Sequence, residues 1–296
     1  MGDLMEPVIF RYRTRELTGQ DIEDIRQTVA LHNGKGRSHI SRVLCKQWDW
    51  VQPNGEYKEY AARDLLLRLE EAGHIQLPPR LRPKNNLKRK SFAQIPFFNQ
   101  TPLSGSVGEF SGLKIVPVDG SDDYLWGYLL HHYHYLGLPG LVGEHIRYLV
   151  YLNDQVVACL AWASAAFKVK SRDDIIGWDA VTRRRRFHLV ANNARFLVLP
   201  WVRVKHLASK ILSLSCRRLS DDWQQRYRHP VFLAETFVDT ARFAGTCYKA
   251  ANWRYAGHTS GSAKKGNSYQ HHGQSKAVYL YPLARHFEKE LAGDKG

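Results

Sequence analysis

Tyr248, Glu235, His188, Arg195 and the pair Asn192-Asn193 are the residues of this chain whose types suit chemistry on a phosphodiester. A tyrosine that attacks phosphorus conserves the bond energy as a phosphotyrosine; it needs donors on the phosphate and a base near the phenol. Tyr248 is the candidate nucleophile, Arg195, Asn192, Asn193 and His188 supply the donor types, and Glu235 is the carboxylate to orient or deprotonate it. A competing expectation is that Tyr248, Asn252 and Trp253 pack a helix onto a sheet with their polar tips hydrogen-bonded. Asn192-Asn193-x-Arg195 is an unusual polar set beside an apolar run: it suits bidentate phosphate binding or base reading, or else a satisfied buried network.

Metal chemistry is less well supplied. Two-metal phosphoryl transfer needs carboxylates converging within a few ångströms. Glu235 and Asp239, four residues apart on a predicted strand, would stand about 13 Å apart. Asp173, Asp174, Asp179, Asp221 and Asp222 join Glu235 only through the fold, and suit helix caps and solvated surface better. His132-Tyr133-His134 has the spacing of a His-hydrophobic-His metal pair, which must lie on a strand, but here it ends a predicted helix. No metal centre is predicted, and magnesium enters only as an accessory to strand transfer.

The elements that must position these residues are legible from hydrophobic spacing. Phe196 to Pro200 reads as a buried strand, Leu207, Ile211, Leu212, Leu214 and Leu219 recur at helical spacing, and Val231 to Val238 opens a second strand ahead of the helix that carries Tyr248. Upstream come a strand at 113–118, a helix at 121–135, and two strands at 146–152 and 155–163 joined by the turn dipeptide Asn153-Asp154. A polar helical insertion runs from Ser171 to Val190, and Ala277 to Leu283 forms a last strand before a short helix.

The N-terminal third reads differently. Asp21 to Leu31, Ser38 to Trp48 and Tyr60 to Ala72 form three helices, followed by a short strand His74-Ile75-Gln76-Leu77, the outline of a winged helix or of an unrelated three-helix bundle. In a winged helix the third helix enters the major groove near Lys58, Tyr60 and Arg63. Arg82, Lys84, Lys88, Arg89 and Lys90 then make a basic linker able to track phosphates. The division is a winged-helix-like module over 1–82, a linker over 83–110, a mixed α/β sheet domain over 111–285 and a tail over 286–296.

Composition bounds the partners. The 296 residues, 44% apolar and 12% aromatic, suffice for two packed domains. A net charge of +15 and a pI near 9.7 favour an anionic partner, most simply DNA, through phosphate neutralisation; a membrane surface is the weaker option. Arg183, Arg184, Arg185 and Arg186 form a run on the insertion, Lys205 and His206 flank a helix N-terminus suited to phosphate, and Lys264 and Lys265 begin a flexible basic arm. No apolar run reaches the roughly 20 residues of a spanning helix and the start lacks the order of a signal peptide, so a cytoplasmic protein is expected. Cys45, Cys159, Cys216 and Cys247 lie far apart, which predicts reduced core thiols.

These motifs resemble the DruA family, the A protein of the Druantia anti-phage system, whose relatives also occur as stand-alone genes and in mobile elements. The resemblance spans roughly 110–285 and rests on His134-Tyr135-Leu136-Gly137, Gly177-Trp178, the run from His188 to Val202, Leu207-Ala208-Ser209, Glu235-Thr236-Phe237-Val238 and the run from Gly245 to Trp253. The chain departs from the family at Ser262-Ala263-Lys264, where Arg-Gly-Lys is usual, and at Arg186, where Asn is usual. The order of elements around Tyr248 also resembles GNAT N-acetyltransferases, which implies a GNAT-like mixed sheet. Those enzymes cradle coenzyme A on a glycine-containing loop, whereas Val204 to Ser209 holds no glycine, so coenzyme A binding is not expected.

The family resemblance implies a protein acting on DNA. The leading expectation is a transposase or strand-transfer enzyme of a mobile element, working as a symmetric dimer. The alternative is a non-catalytic DNA-sensing subunit of an anti-phage complex with helicase-like partners, and acyl transfer ranks third.

Overall fold

A computed structural model describes residues 7–13, 15–52, 55–81, 92, 94–138, 140–265, 268–271 and 273–293. The chain divides into two compact units, Met1–Ser91 and Phe92–Gly296.

The first unit opens with a hairpin, β1 (Phe10–Tyr12) and β2 (Arg15–Leu17), followed by α1 (Gly19–Leu31), α2 (Arg37–Gln47) and α3 (Glu59–Glu71). Thr18 and Asp21 close a reciprocal capping box on α1, which fixes where the helix starts. Ile22, Ile25 and Val29 of α1, Ile40 and Leu44 of α2, and Leu65, Leu66 and Leu69 of α3 form one core. The three predicted helices are present, but the strand expected at 74–77 is not. Its backbone groups are engaged by side chains instead of a partner strand: Arg26 donates to the carbonyl of His74, Arg37 to that of Pro78, and the Glu70 carboxylate accepts from the amide of Leu77. The strand pair β1–β2 precedes the helices, and an isolated antiparallel bridge joins Val51 to Tyr57 between α2 and α3.

The second unit is a mixed α/β fold. Its elements are β3 (Leu103–Ser106), β4 (Lys114–Pro117), α4 (Asp123–Tyr133), β5 (His145–Leu152), β6 (Gln155–Ser164), α5 (Lys170–Ile176), α6 (Ala180–Arg186), β7 (Val190–Val198), β8 (Val202–Lys205), α7 (Leu207–Tyr227), β9 (Leu233–Val238), α8 (Thr246–Ala250), β10 (Arg254–His258), β11 (Ser262–Lys265), β12 (Ser268–His271), β13 (Ala277–Pro282) and α9 (Phe287–Ala292). Seven strands make one sheet in the order β10-β13-β9-β7-β6-β5-β4, antiparallel throughout except for β7 beside β9. Asn153 and Asp154 both take positive φ, the conformation that a tight two-residue hairpin turn requires and that these residue types tolerate. Phe92, Phe98, Leu103 and Phe110 pack against the main core and β3 pairs with β8, so the latter part of the expected linker belongs to this unit. The expected C-terminal tail likewise contains α9, whose Phe287 and Leu291 are buried.

Side chains of β9 and β13 alternate between two cores. Ala234, Val238, Ala277 and Tyr279 face the core that α7 and α8 cover; Leu233, Val278 and Leu280 face the one shared with α5 and α9. On the second face Glu235 is fully buried, 2.8 Å from Arg172 and accepting the amide of Ala166 at 2.9 Å. That pair ties α5 to the sheet, and Arg172 also holds Asp173, its neighbour on the same helix, at 2.7 Å. The four cysteines are free, and among the described residues no helix is long and apolar enough to cross a membrane.

Removing one partner of a buried ion pair leaves the other charge unsolvated, at a cost of about 3–5 kcal/mol. Arg172→Met is expected to lower stability by that amount in urea unfolding followed by tryptophan fluorescence. The double variant Arg172→Met/Glu235→Leu should recover most of the loss; equal instability of the two would refute the pairing account.

Candidate functional site

The parallel strands β7 and β9 pair at three positions only, Val190 with Leu233, Ala191 with Ala234 and Asn192 with Glu235. Beyond them β7 follows β6 and β9 follows β13, so the two strands part. The β6–β7 register shifts at the same place: Trp162 faces Asn193 and Ala161 faces Arg195, leaving Ala194 unmatched. A bulge of this kind bends the strand and re-aims its side chains. The opening is a cavity of about 640 Å³, lined by Asn192 to Val198, Thr236 to Asp239, Arg242 to Tyr248, Tyr133 to Leu136, Ala208 of the first turn of α7, and Lys276.

Tyr248 bridges the parted strands. Its hydroxyl donates to Asn193 Oδ1 at 2.8 Å, and Thr236 Oγ1 lies 3.4 Å from the phenol oxygen while donating to the carbonyl of Asn193 at 3.2 Å. The ring stacks on Tyr279 and meets Trp253 edge-on. Gly245 ends the preceding turn at φ +69, and a Cβ there would come 3.0 Å from the Tyr279 hydroxyl, so glycine is favoured where α8 begins. Burial pushes the Tyr248 phenol above its ordinary range. Among the described residues no carboxylate or imidazole hydrogen-bonds it.

Arg195 is the cation that β7 brings to the cavity. Its guanidinium is half-buried, forms no ion pair among the described residues, and has an Nε with no hydrogen-bond acceptor there; Asn192 Oδ1 is likewise buried without a donor. Burial lowers the affinity of Arg195 for its proton. His134 beside it is pushed down to about 4, first by burial and then by the charge of Arg195, so its imidazole is neutral at pH 7.

A family model described as Druantia protein DruA matches residues 68–269, more than half of the chain, and the cavity's lining up to Tyr248 lies within that span. The chain belongs to the DruA family. No curated protein matches it. Among solved structures, it is similar to an aminoglycoside acetyltransferase in complex with coenzyme A, at 13% identity and a TM-score of 0.39 over 60% of this chain and 98% of that one. It is also similar to the ribosomal-protein-S18-alanine N-acetyltransferase of Escherichia coli, at 11% identity and a TM-score of 0.35 over 58% and 95%. An N-acetyltransferase of Staphylococcus aureus gives 13% identity and 0.34 over 58% and 99%. Likenesses this distant carry no argument about the chemistry of a DruA protein.

Of the predicted catalytic set, the fold gathers Tyr248, Asn192, Asn193 and Arg195 and excludes the other two. Glu235 neighbours Thr236 in sequence, and strand alternation puts it on the opposite face from Tyr248, where Arg172 holds it. Burial pushes its carboxyl up, against the pull of Arg172. His188 lies on the turn before β7 with its ring 4.9 Å from that of His229, outside the cavity lining. Asn192 and Asn193 lie within β7 and not ahead of it. His134, Tyr135, Thr236, Arg242, Phe243 and Lys276 join the site without having been singled out for it; His134, Tyr135 and Thr236 stand in family motifs, and Lys276 carried no signal.

The predicted DNA contacts divide. Arg184 and Arg185 are exposed, but Arg183 turns inward to Asp173 at 3.4 Å and over the Phe167 ring, and Arg186 donates to the carbonyl of Glu290, so only half of the arginine run faces solvent. Lys205 and His206 are exposed, His206 preceding α7 at φ +63. Tyr60 is 84% exposed under the Arg63 guanidinium, whereas Lys58 is half-buried beside Arg13 and Arg15. Arg82, Lys84, Lys88, Arg89 and Lys90 lie outside the described residues. Lys264 and Lys265 fall on β11, whose backbone pairs antiparallel with β12, and not on an irregular arm. Among the described residues no three His, Cys, Asp or Glu side chains group to hold a metal.

Because the folded value of His134 lies below the ordinary 6.5, the unfolded chain takes up this proton first on acidification. The contribution of His134 is thus intact above about pH 6.5 and is lost as pH falls towards 4. His134→Asn should lose less stability than wild type between those pH values in parallel urea titrations; identical losses would count against a buried, neutral imidazole.

Proposed function

We propose that this protein is a DNA-binding component of a DruA-type anti-phage system that grips its DNA without joining to it covalently. One observation carries the reading: Arg195, a half-buried guanidinium with no ion-pair partner among the described residues, faces an open cavity beside Asn192 and Asn193. A desolvated cation left unpaired is costly, and an anionic ligand relieves that cost. With +15 on the chain, the anion that fits both scales is the phosphate of nucleic acid. The exposed Arg184, Arg185, Lys205 and His206 suit the outer, sequence-independent part of such contact.

The buried phenol of Tyr248, donating to an amide and hydrogen-bonded to no carboxylate or imidazole among the described residues, favours this non-covalent reading over strand transfer by a transposase. Coenzyme A is left out of this reading because the turn ahead of α7 has no glycine and holds His206 in the left-handed conformation, and glycine is what lets a backbone approach a pyrophosphate closely. DNA and helicase-like subunits in the cytoplasm are the partners of this reading, with magnesium dispensable.

The test is fluorescence anisotropy of labelled single- and double-stranded DNA across salt concentrations, paired with denaturing gels. Binding should weaken by about 10³-fold or more between 50 and 200 mM salt if at least about six phosphates are contacted. The double variant Arg184→Ala/Arg185→Ala should flatten that slope, and strands should remain intact with or without magnesium. Protein-linked or rejoined strands that disappear in Tyr248→Phe would overturn the non-covalent reading, and absence of binding at 50 mM salt would overturn DNA as the ligand.

A further inference from the structure

The cavity has two chemically distinct parts. At β7 it offers Arg195 beside Asn192, and from the residue ahead of β13 it offers Lys276, which enters no ion pair among the described residues. Towards the turns it offers Tyr135 and Phe243, exposed by 42% and 49%, with ring centroids 5.3 Å apart. Large aromatics left this exposed at a concave site lose burial energy that a flat apolar ligand restores. The one carboxylate in the lining, Asp239, is held by Arg242, which also lies 5.3 Å over the Tyr135 ring. The net lining charge is therefore positive, and a volume of about 640 Å³ lies in the range of small-molecule sites.

We infer that the cavity between β7 and β9 takes a single unpaired nucleoside phosphate, its phosphate on Arg195 and Lys276 and its base against Tyr135 and Phe243. The inference rests on the reading above only in taking the anion at Arg195 as a phosphate. A base inside a duplex keeps both faces stacked on its neighbours, so an aromatic rim of this kind selects a base that has left the stack. The unit has two sources: a residue of single-stranded DNA or a free nucleotide.

The experiment is calorimetric titration of the full chain with dAMP, deoxyadenosine, inorganic phosphate, a 5′-phosphorylated single-stranded decamer and a blunt duplex. The probes are repeated on Arg195→Met and on Tyr135→Ala/Phe243→Ala, whose replaced rings are exposed; circular dichroism checks the fold of each. The expected result is that dAMP or the decamer binds at least about tenfold more tightly than deoxyadenosine or phosphate, and that the rim variant weakens it at least about fivefold. Binding of the decamer alone assigns the unit to a DNA strand, and binding of dAMP that the decamer does not displace assigns it to a free nucleotide; either supports the site. If phosphate binds as well as dAMP and the rim variant is neutral while salt-sensitive DNA binding persists, the nucleotide site is refuted and the DNA reading stands. Loss of DNA binding in the wild type as well would remove both.

Discussion

The second unit depends on how little β7 and β9 share. Three paired residues join a four-strand antiparallel half, β4 to β7, to a three-strand half made of β9, β13 and β10. Each face of this narrow seam is fastened by a polar contact that the rest of the core could not supply. Behind it, Glu235 of the last pair is locked to Arg172 on α5. In front, Tyr248 on α8 holds Asn193 beside Thr236. Ladder hydrogen bonds end where the cavity begins, so the site exists because the sheet is incomplete.

That incompleteness explains how one stretch of β7 combines structural contacts with polar atoms that no protein group satisfies. Asn193 is consumed by the seam, whereas Asn192 Oδ1 and Arg195 Nε are buried without protein partners, and a second nitrogen of Arg195 donates to the carbonyl of Ala194. Both kinds of residue fall within the four residues around the bulge at Ala194. The same economy governs the arginine run on α6, where Arg183 and Arg186 anchor the insertion and leave Arg184 and Arg185 for solvent. Net charge alone does not distinguish these roles, because a cation that tethers a helix counts the same as one that waits for phosphate.

Much of the fold was legible where its signals are local. The three helices of the first unit, α7 with its 3- and 4-residue spacing, and the β5–β6 hairpin with Asn153-Asp154 follow from side chains a few residues apart. What depends on distant partners was not. β3 and β8 are four residues each and pair across about a hundred residues of chain, and 74–77 looked like a strand because nothing local shows that Arg26, Arg37 and Glu70 engage its backbone. The site followed the same division. Asn192-Asn193-x-Arg195 and Tyr248 stood out as residue types, but which face of β9 the Tyr248 helix covers is decided by tertiary packing, and that choice separates Glu235 from Thr236. Strand alternation guaranteed that only one of the two meets the phenol, without saying which.

The narrow seam also sets where the molecule yields. β5 and β6 pair at eight positions and β6 and β7 at seven, whereas β7 and β9 pair at three. Local opening is drawn to the places where a sheet is least fastened. A fluctuation that parts the seam separates the walls of the pocket while β4 to β7 stay paired. A copy opened there keeps its net charge of +15 and loses the shape that the charge surrounds. In the proposed reading such a copy would hold nucleic acid loosely, through charge alone.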